Sequence, residues 1–125
     1  MAFQNPALNF AEQRLSLGDL VTVSSHSTFL VRSDSSYPEA GIMKGSVLAI
    51  DRALTPQHKH TIVADISGEL VLRRLLINPV PALQELQDDQ TITLLDETQE
   101  LPVWGVVAYA LTDIAGLGFS HPLCD

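Results

Sequence analysis

Residues 61–76 read Thr-Ile-Val-Ala-Asp-Ile-Ser-Gly-Glu-Leu-Val-Leu-Arg-Arg-Leu-Leu, and this stretch decides the fold. Two runs rich in β-branched and apolar residues, Thr61–Ile66 and Glu69–Leu76, flank the dipeptide Ser67-Gly68. A two-residue turn that contains glycine, placed between two extended runs, is a strong signal for a β-hairpin. The sequence therefore predicts two antiparallel strands here and favours a fold built from β-sheet.

Further short β-type runs lie on both sides of this hairpin. They are Thr28–Arg32 and Ser46–Asp51 on its N-terminal side, and Thr91–Leu95 and Pro102–Leu111 on its C-terminal side. The last run is apolar and rich in valine and aromatic residues, which predicts a buried strand. Ala11–Leu20 has some helical character but is short. The chain is therefore predicted to be mostly β, a compact domain of short strands and hairpins.

The chain is expected to consist of a short arm and one domain. Residues 1–9 are predicted to form a flexible N-terminal arm, and residues 10–125 a single domain with its own hydrophobic core. No targeting signal is recognisable, and the most apolar stretch, Val103–Phe119, is too short and too mixed to span a membrane. The lone cysteine, Cys124, allows no intrachain disulfide, which suits a reducing cytoplasm.

The charge balance bears on the partners that the protein can bind. The 15 acidic and 7 basic residues give a formal net charge of −8. Direct binding to nucleic acid is not expected, because it needs a positive surface that displaces counterions from phosphates. Contact with DNA is expected to run through a protein partner. No glycine-rich phosphate loop is present, and no cofactor is predicted.

Candidate site residues taken singly give weak signals. Ser36 lies in a polar loop, where serine is common, and the spacing of the two lysines and four histidines defines no catalytic triad. His58-Lys59-His60 would place two imidazoles on one face of a strand. A zinc site needs three or four ligands, and no matching carboxylate or cysteine stands out. A solvated loop is the better interpretation, and no metal is predicted.

The stretch from Phe29 to Ile42 contains Asp34-Ser35-Ser36-Tyr37 and ends in Ala40-Gly41-Ile42. It resembles the nucleophile loop of the UmuD-type proteins of the LexA/UmuD serine–lysine peptidase family, which usually reads Gly-Asp-Ser-Met, two further residues and Ala-Gly-Ile. The remaining matches follow in the same order, from about residue 10 to about residue 110: Phe10–Leu15 with Leu17, Val47–Ala53, Ser67–Leu75 and Pro102–Val107.

Two departures from the family pattern concern catalysis. Ser36 matches the nucleophile position, but Arg73 stands at the position of the lysine that serves as general base. Arginine cannot fill that role, because its guanidinium stays protonated and offers no lone pair. The chain also begins about where a processed UmuD-type protein would begin, so the cleavable tail and the LexA-type DNA-binding domain are expected to be missing.

The resemblance with these departures implies a non-catalytic accessory subunit in the SOS response to DNA damage. The expected partners are a second copy or a full-length UmuD-type relative, an error-prone Y-family translesion polymerase, and the recombinase filament. Two alternatives stay open. One is a serine peptidase acting in trans through Ser36, with a base such as His60. The other is an inhibitor that poisons dimers of a full-length relative.

Overall fold

The computed structural model describes residues 16–120 except Thr22, Ser25 and Asp89. One short helix, α1 (Leu17–Leu20), precedes seven strands. The strands are β1 (Thr28–Arg32), β2 (Val47–Asp51), β3 (Thr61–Ile66), β4 (Glu69–Leu76), β5 (Ala82–Gln84), β6 (Ile92–Leu94) and β7 (Val103–Leu111). The predicted arm, the Phe10–Leu15 motif and Cys124 lie outside the described residues. Within the described part of the chain, no helix is long and apolar enough to cross a membrane.

The strands form one antiparallel sheet in the order β1-β2-β7-β3-β4-β5-β6. The mostly β fold predicted from the sequence is confirmed. The hairpin also forms at the predicted residues, with Ile66 opposite Glu69. Ser67 and Gly68 have φ angles of 53° and 84°, the left-handed backbone that a tight two-residue hairpin turn requires.

Two apolar clusters cover the two faces of the sheet around β3. Ile62 and Ala64 belong to one cluster with Leu75, Leu83 and Val106. Val63 belongs to the other cluster, which contains Ile42, Leu48 and Ile50. Successive side chains of a strand point to opposite faces, so a strand buried on both sides reads as an unbroken apolar run. This is why Ile62, Val63 and Ala64 are all buried.

The prediction of a buried strand at the C-terminal run is correct for only half of β7. Val103, Gly105 and Val106 pair with β3, whereas residues beyond Val107 pair with β2 alone among the described residues. In this half Tyr109 and Leu111 are 40% and 42% exposed. Trp104 at the paired end is half-buried, and its ring centroid lies 5.3 Å from that of Phe29.

Candidate functional site

Backbone hydrogen bonds close the base of the loop that carries Ser36. Ser33 N–H donates to the carbonyl of Ser46, and Gly45 N–H donates to the carbonyl of Ser33, both at 2.8 Å. Ser46 is buried, and its hydroxyl lies 2.8 Å from that of Thr112 just after β7. The loop over residues 33–46 is therefore anchored both to itself and to the sheet.

A short 3-10 helix, Pro38–Ala40, sets the course of the chain directly after Ser36. Tyr37 and Ile42 exchange two backbone hydrogen bonds across it, at 2.7 and 3.2 Å. Gly41 ends this helix with a φ of 74°, a left-handed conformation that glycine adopts without steric cost. The glycine of the Ala40-Gly41-Ile42 motif thus has a structural role, since it lets Ile42 turn back into the core.

The Ser36 side chain is held by the backbone of its own loop. Ser36 is half-buried, and its Oγ accepts a hydrogen bond of 2.8 Å from Lys44 N–H. Among the described residues, no side chain accepts the proton of the Ser36 hydroxyl. Serine needs such an acceptor to become an effective nucleophile. The Lys44 N–H therefore fixes the position of the Ser36 hydroxyl.

Arg73, at the expected position of the general base, is engaged elsewhere. It lies in β4 opposite Ile62 of β3. Its Nη1 donates to the carbonyl of Leu72 at 2.8 Å, and its Nη2 lies 3.8 Å from Glu85 Oε1. No hydrogen bond joins Arg73 to Ser36 in the described part of the chain. The structure therefore places the two predicted site residues on neighbouring elements without bringing their side chains into contact.

The adjacent Arg74 reaches the Ser36 loop instead. Its Nη2 donates to the carbonyl of Glu39 at 3.3 Å, within the short helix that follows Ser36. Consecutive residues of a strand point to opposite faces, so Arg73 and Arg74 cannot serve the same side of the sheet. The resemblance to the family assigned a role to Arg73 alone and missed the contact of Arg74 with Glu39. The signal in the sequence was the alternation of side chains along the predicted strand, which places Arg73 and Arg74 on opposite faces.

A cleft of about 450 Å³ lies between the end of β1 and β4. Its floor is apolar and includes Leu48, Val63 and Trp104, and Arg73 contributes to its wall. Ser36 is not part of its lining, although its neighbours Asp34 and Tyr37 are; the other lining residues are Val31, Arg32, Ser33, Ile50, Glu69, Leu70, Val71 and Leu72. The sequence did not indicate Arg32, whose Nε is buried here without a hydrogen-bond partner.

The histidine pair is committed to backbone contacts. His58 Nδ1 accepts from Ile77 N–H at 2.9 Å and from Asn78 N–H at 3.3 Å, and His60 Nδ1 accepts from Gln57 N–H at 3.1 Å. Both histidines lie in the connection before β3, as the solvated-loop interpretation predicted, although each is half-buried. No group of three or more potential metal ligands occurs among the described residues.

The resolved pKa shifts lie away from Ser36 and Arg73. A hydrogen bond from Gly118 N–H, helped by one from Leu117 N–H, holds the pKa of Asp113 below its usual value. Hydrogen bonds from Thr91 and Thr98 lower the pKa of Asp88 and Asp96 in the same way. All three carboxylates accept hydrogen bonds within their own turns, so their shifts reflect loop geometry and not acid–base chemistry.

No protein-family model matches the chain, but curated relatives do. Protein ImpA of Escherichia coli is 36% identical over 110 residues, which are 87% of this chain and 75% of that protein. The chain belongs to the UmuD family. Protein MucA of Escherichia coli is 32% identical over 124 residues, 98% of this chain and 80% of that protein. Protein SamA of Salmonella typhimurium is 31% identical over 106 residues, 84% of this chain and 74% of that protein.

Membership of the UmuD family confirms the resemblance drawn from the nucleophile loop and the β4 segment. Membership of this family supports a role in SOS mutagenesis. The assignment of Ser36 and Arg73 to the nucleophile and base positions stays a prediction.

Proposed function

We propose that this UmuD-family chain is a non-catalytic accessory subunit in the response to DNA damage. It would bind an error-prone Y-family translesion polymerase, a full-length UmuD-type relative, or both, and act beside the recombinase filament. The observation that carries this proposal is that an arginine, Arg73, lies where the resemblance to the family predicts a lysine. Its guanidinium stays protonated, donates a hydrogen bond to the Leu72 carbonyl and lies 3.8 Å from Glu85.

The C-terminal half of β7 supports assembly into dimers. In the described part of the chain this half pairs only with β2, and its exposed residues include Leu111. Strand edges without a neighbour invite pairing with another chain, and aromatic residues are enriched in interfaces. This edge is a suitable surface for a homodimer or for a heterodimer with a UmuD-type relative.

A cleavage assay tests the loss of catalysis. The purified chain is incubated with a peptide that spans the cleavage site of a full-length relative, and the products are separated by mass. The wild-type chain is expected to cut nothing. Arg73→Lys is expected to cut slowly, about 100-fold above the wild-type background, because a lysine can lose its proton and act as a base. Its rate should rise with pH as the amine deprotonates.

Two further variants make this assay decisive. Arg73→Lys combined with Ser36→Ala should abolish cleavage. Arg74→Lys is tested beside it, because the side chain of residue 74 lies on the side of β4 that contacts the Ser36 loop. Cleavage by Arg74→Lys alone would move the base position to residue 74. Cleavage by the unmodified chain that Ser36→Ala stops would refute the proposal and establish a peptidase acting in trans.

Sedimentation tests the assembly. The wild-type chain is expected to dimerise at micromolar concentration, and Leu111→Glu on the β7 edge should weaken dimerisation about tenfold or more. Leu94→Glu on β6 is the matched control, because Leu94 is also exposed but is separated from β7 by the strands β3, β4 and β5. A wild-type monomer at about 100 µM, with no binding to a full-length relative, would contradict this part of the proposal.

A further inference from the structure

A second cavity, separate from the cleft beside Arg73, lies at the other end of β4. It has a volume of about 460 Å³ and is lined by Lys59, Arg74, Leu76 and Gln84. Arg74 and Leu76 are two residues apart and share one face of β4, and Gln84 of β5 lies directly opposite Arg74. Lys59 comes from the turn before β3. The cavity therefore collects side chains from two strands and a turn.

The backbone at Lys59 is unusual for a lysine. Its φ is 72°, in the left-handed region that side chains other than glycine rarely adopt. Hydrogen bonds hold it there: Lys59 N–H donates to the carbonyl of Leu75 at 2.7 Å, and Leu75 N–H donates to the carbonyl of His60 at 2.9 Å. Glycine would fit this position with less strain. Residues held in a backbone conformation that favours glycine occur often at binding and active sites, so this conformation indicates a function for the Lys59 side chain.

Two cations and no acidic side chain of the described residues line this cavity. The sequence has 15 acidic and only 7 basic residues, and two of the basic ones, Lys59 and Arg74, lie here. Among the described residues, Arg73 forms an ion pair with Glu85, but neither Lys59 nor Arg74 has one. Arg74 Nη2 donates a hydrogen bond to the Glu39 carbonyl that is long, at 3.3 Å. Two like charges that face one cavity repel each other unless an anion lies between them.

We propose that Lys59 and Arg74 form a binding site for an oxyanion, a carboxylate or a phosphate group. The planar guanidinium of Arg74 can donate two parallel hydrogen bonds to such a group, and the Lys59 ammonium supplies a second charge. Leu76 gives the cavity an apolar wall, which suits an anionic group carried on a larger molecule. Because both cations are near solvent, binding of the isolated group is weak and decreases with salt.

Titration by NMR tests the site directly. The backbone and arginine side-chain signals of the full chain are followed during addition of inorganic phosphate, and in a second arm of acetate, with chloride keeping the ionic strength constant. Saturable shifts are expected at residues 57–60, 74–76 and 84. Tighter binding of acetate identifies the group as a carboxylate, as on an acidic side chain, and tighter binding of phosphate identifies it as a phosphate.

Lys59→Gly separates binding from folding, because glycine relieves the left-handed backbone while removing the charge. This variant should stay folded, with a melting temperature no lower than that of the wild type, and bind about threefold more weakly. Adding Arg74→Gln should bring the total loss to about tenfold. Lys44→Gln removes the same charge from a different turn and should bind like the wild type.

Two results would overturn the proposal. One is a set of non-saturating shifts that are spread over all cationic residues in both arms, which would indicate general charge screening. The other is equal weakening by Lys44→Gln and Lys59→Gly, which would show that net charge and not this cavity determines the affinity. Neither result bears on whether Ser36 is catalytically active, so the outcome is independent of the cleavage assay.

Discussion

At the centre of the sheet, β3 has a neighbour on each side and buries Ile62, Val63 and Ala64 without a break. β4, by contrast, pairs with β5 only from Arg74 to Leu76, so no described strand pairs with residues 69–73 on that side. Positions at the centre are constrained from both faces by packed side chains. Arg73 lies in the less constrained segment and has 27% of its side chain exposed.

This difference explains how residue 73, the proposed position of the general base, could change while the fold persists. Lysine and arginine have side chains of similar length, so the exchange of one for the other at residue 73 introduces little strain into a segment that borders a cleft. A comparable change at Ile62 would disturb both neighbouring strands. The contrast between the centre of the sheet and this segment predicts a graded series of effects on the free energy of unfolding.

The largest effect is expected at the centre of the sheet. Ile62→Ala removes a fully buried side chain from the cluster around Leu75 and Val106, and should lower the free energy of unfolding by about 3 kcal/mol. Urea denaturation measures this loss. Ile92→Ala on β6 removes the same atoms from a side chain that is 46% exposed, and should cost less than about 1 kcal/mol. Equal losses would mean that the centre is no more constrained than the outer strands.

The next effect concerns the close approach of β7 to β2. A Cβ added at Gly105 would lie 2.7 Å from Ile50 Cγ2, so the Ile50 side chain or one of the two strands must shift. Gly105→Ala should lower the free energy of unfolding by about 2 kcal/mol. Combining it with Ile50→Ala should cost less than the sum of the two single losses, because the second change removes the clashing atom. Strict additivity in urea denaturation would show that the clash is not the cause.

A smaller effect is expected where the Ser36 loop joins the sheet. The buried Ser46 hydroxyl accepts from Met43 N–H at 3.2 Å and bonds with Thr112 at 2.8 Å. Ser46→Ala leaves both partners without this contact and should cost about 1 kcal/mol in thermal unfolding corrected to a common temperature. Thr112→Ser keeps a hydroxyl and serves as the control. No loss in Ser46→Ala would indicate that water replaces the serine oxygen.

The smallest effect is expected at the partner of Arg73. The Arg73–Glu85 pair is 3.8 Å long, and the two side chains are 27% and 42% exposed. Glu85→Gln should therefore change the free energy of unfolding by less than about 0.5 kcal/mol. Glu97→Gln, at an exposed turn, provides the reference for loss of one negative charge. A loss in Glu85→Gln as large as that in Ser46→Ala would show that Arg73 has acquired a structural role.

The strands that the sequence predicted best are those with a strong local signal. β1, β3 and β4 begin and end at the predicted residues, because each is an apolar or β-branched run bounded by turn residues. β5 was missed because Ala82–Gln84 is only three residues long and follows Pro79 and Pro81. It forms because the end of β4 offers an edge with which it can pair, and this is a non-local cause.

The sequence by itself determined the hairpin, the resemblance to the UmuD family and the prediction that Arg73 cannot act as a general base. That prediction follows from the residue type alone, because a guanidinium remains protonated whatever surrounds it. Only the tertiary structure decided that Arg73 faces Glu85 while Arg74 reaches Glu39, and that Lys59 lines the same cavity as Arg74. Side-chain direction and contacts between separate strands depend on register and packing across the sheet, which no local run of residues specifies.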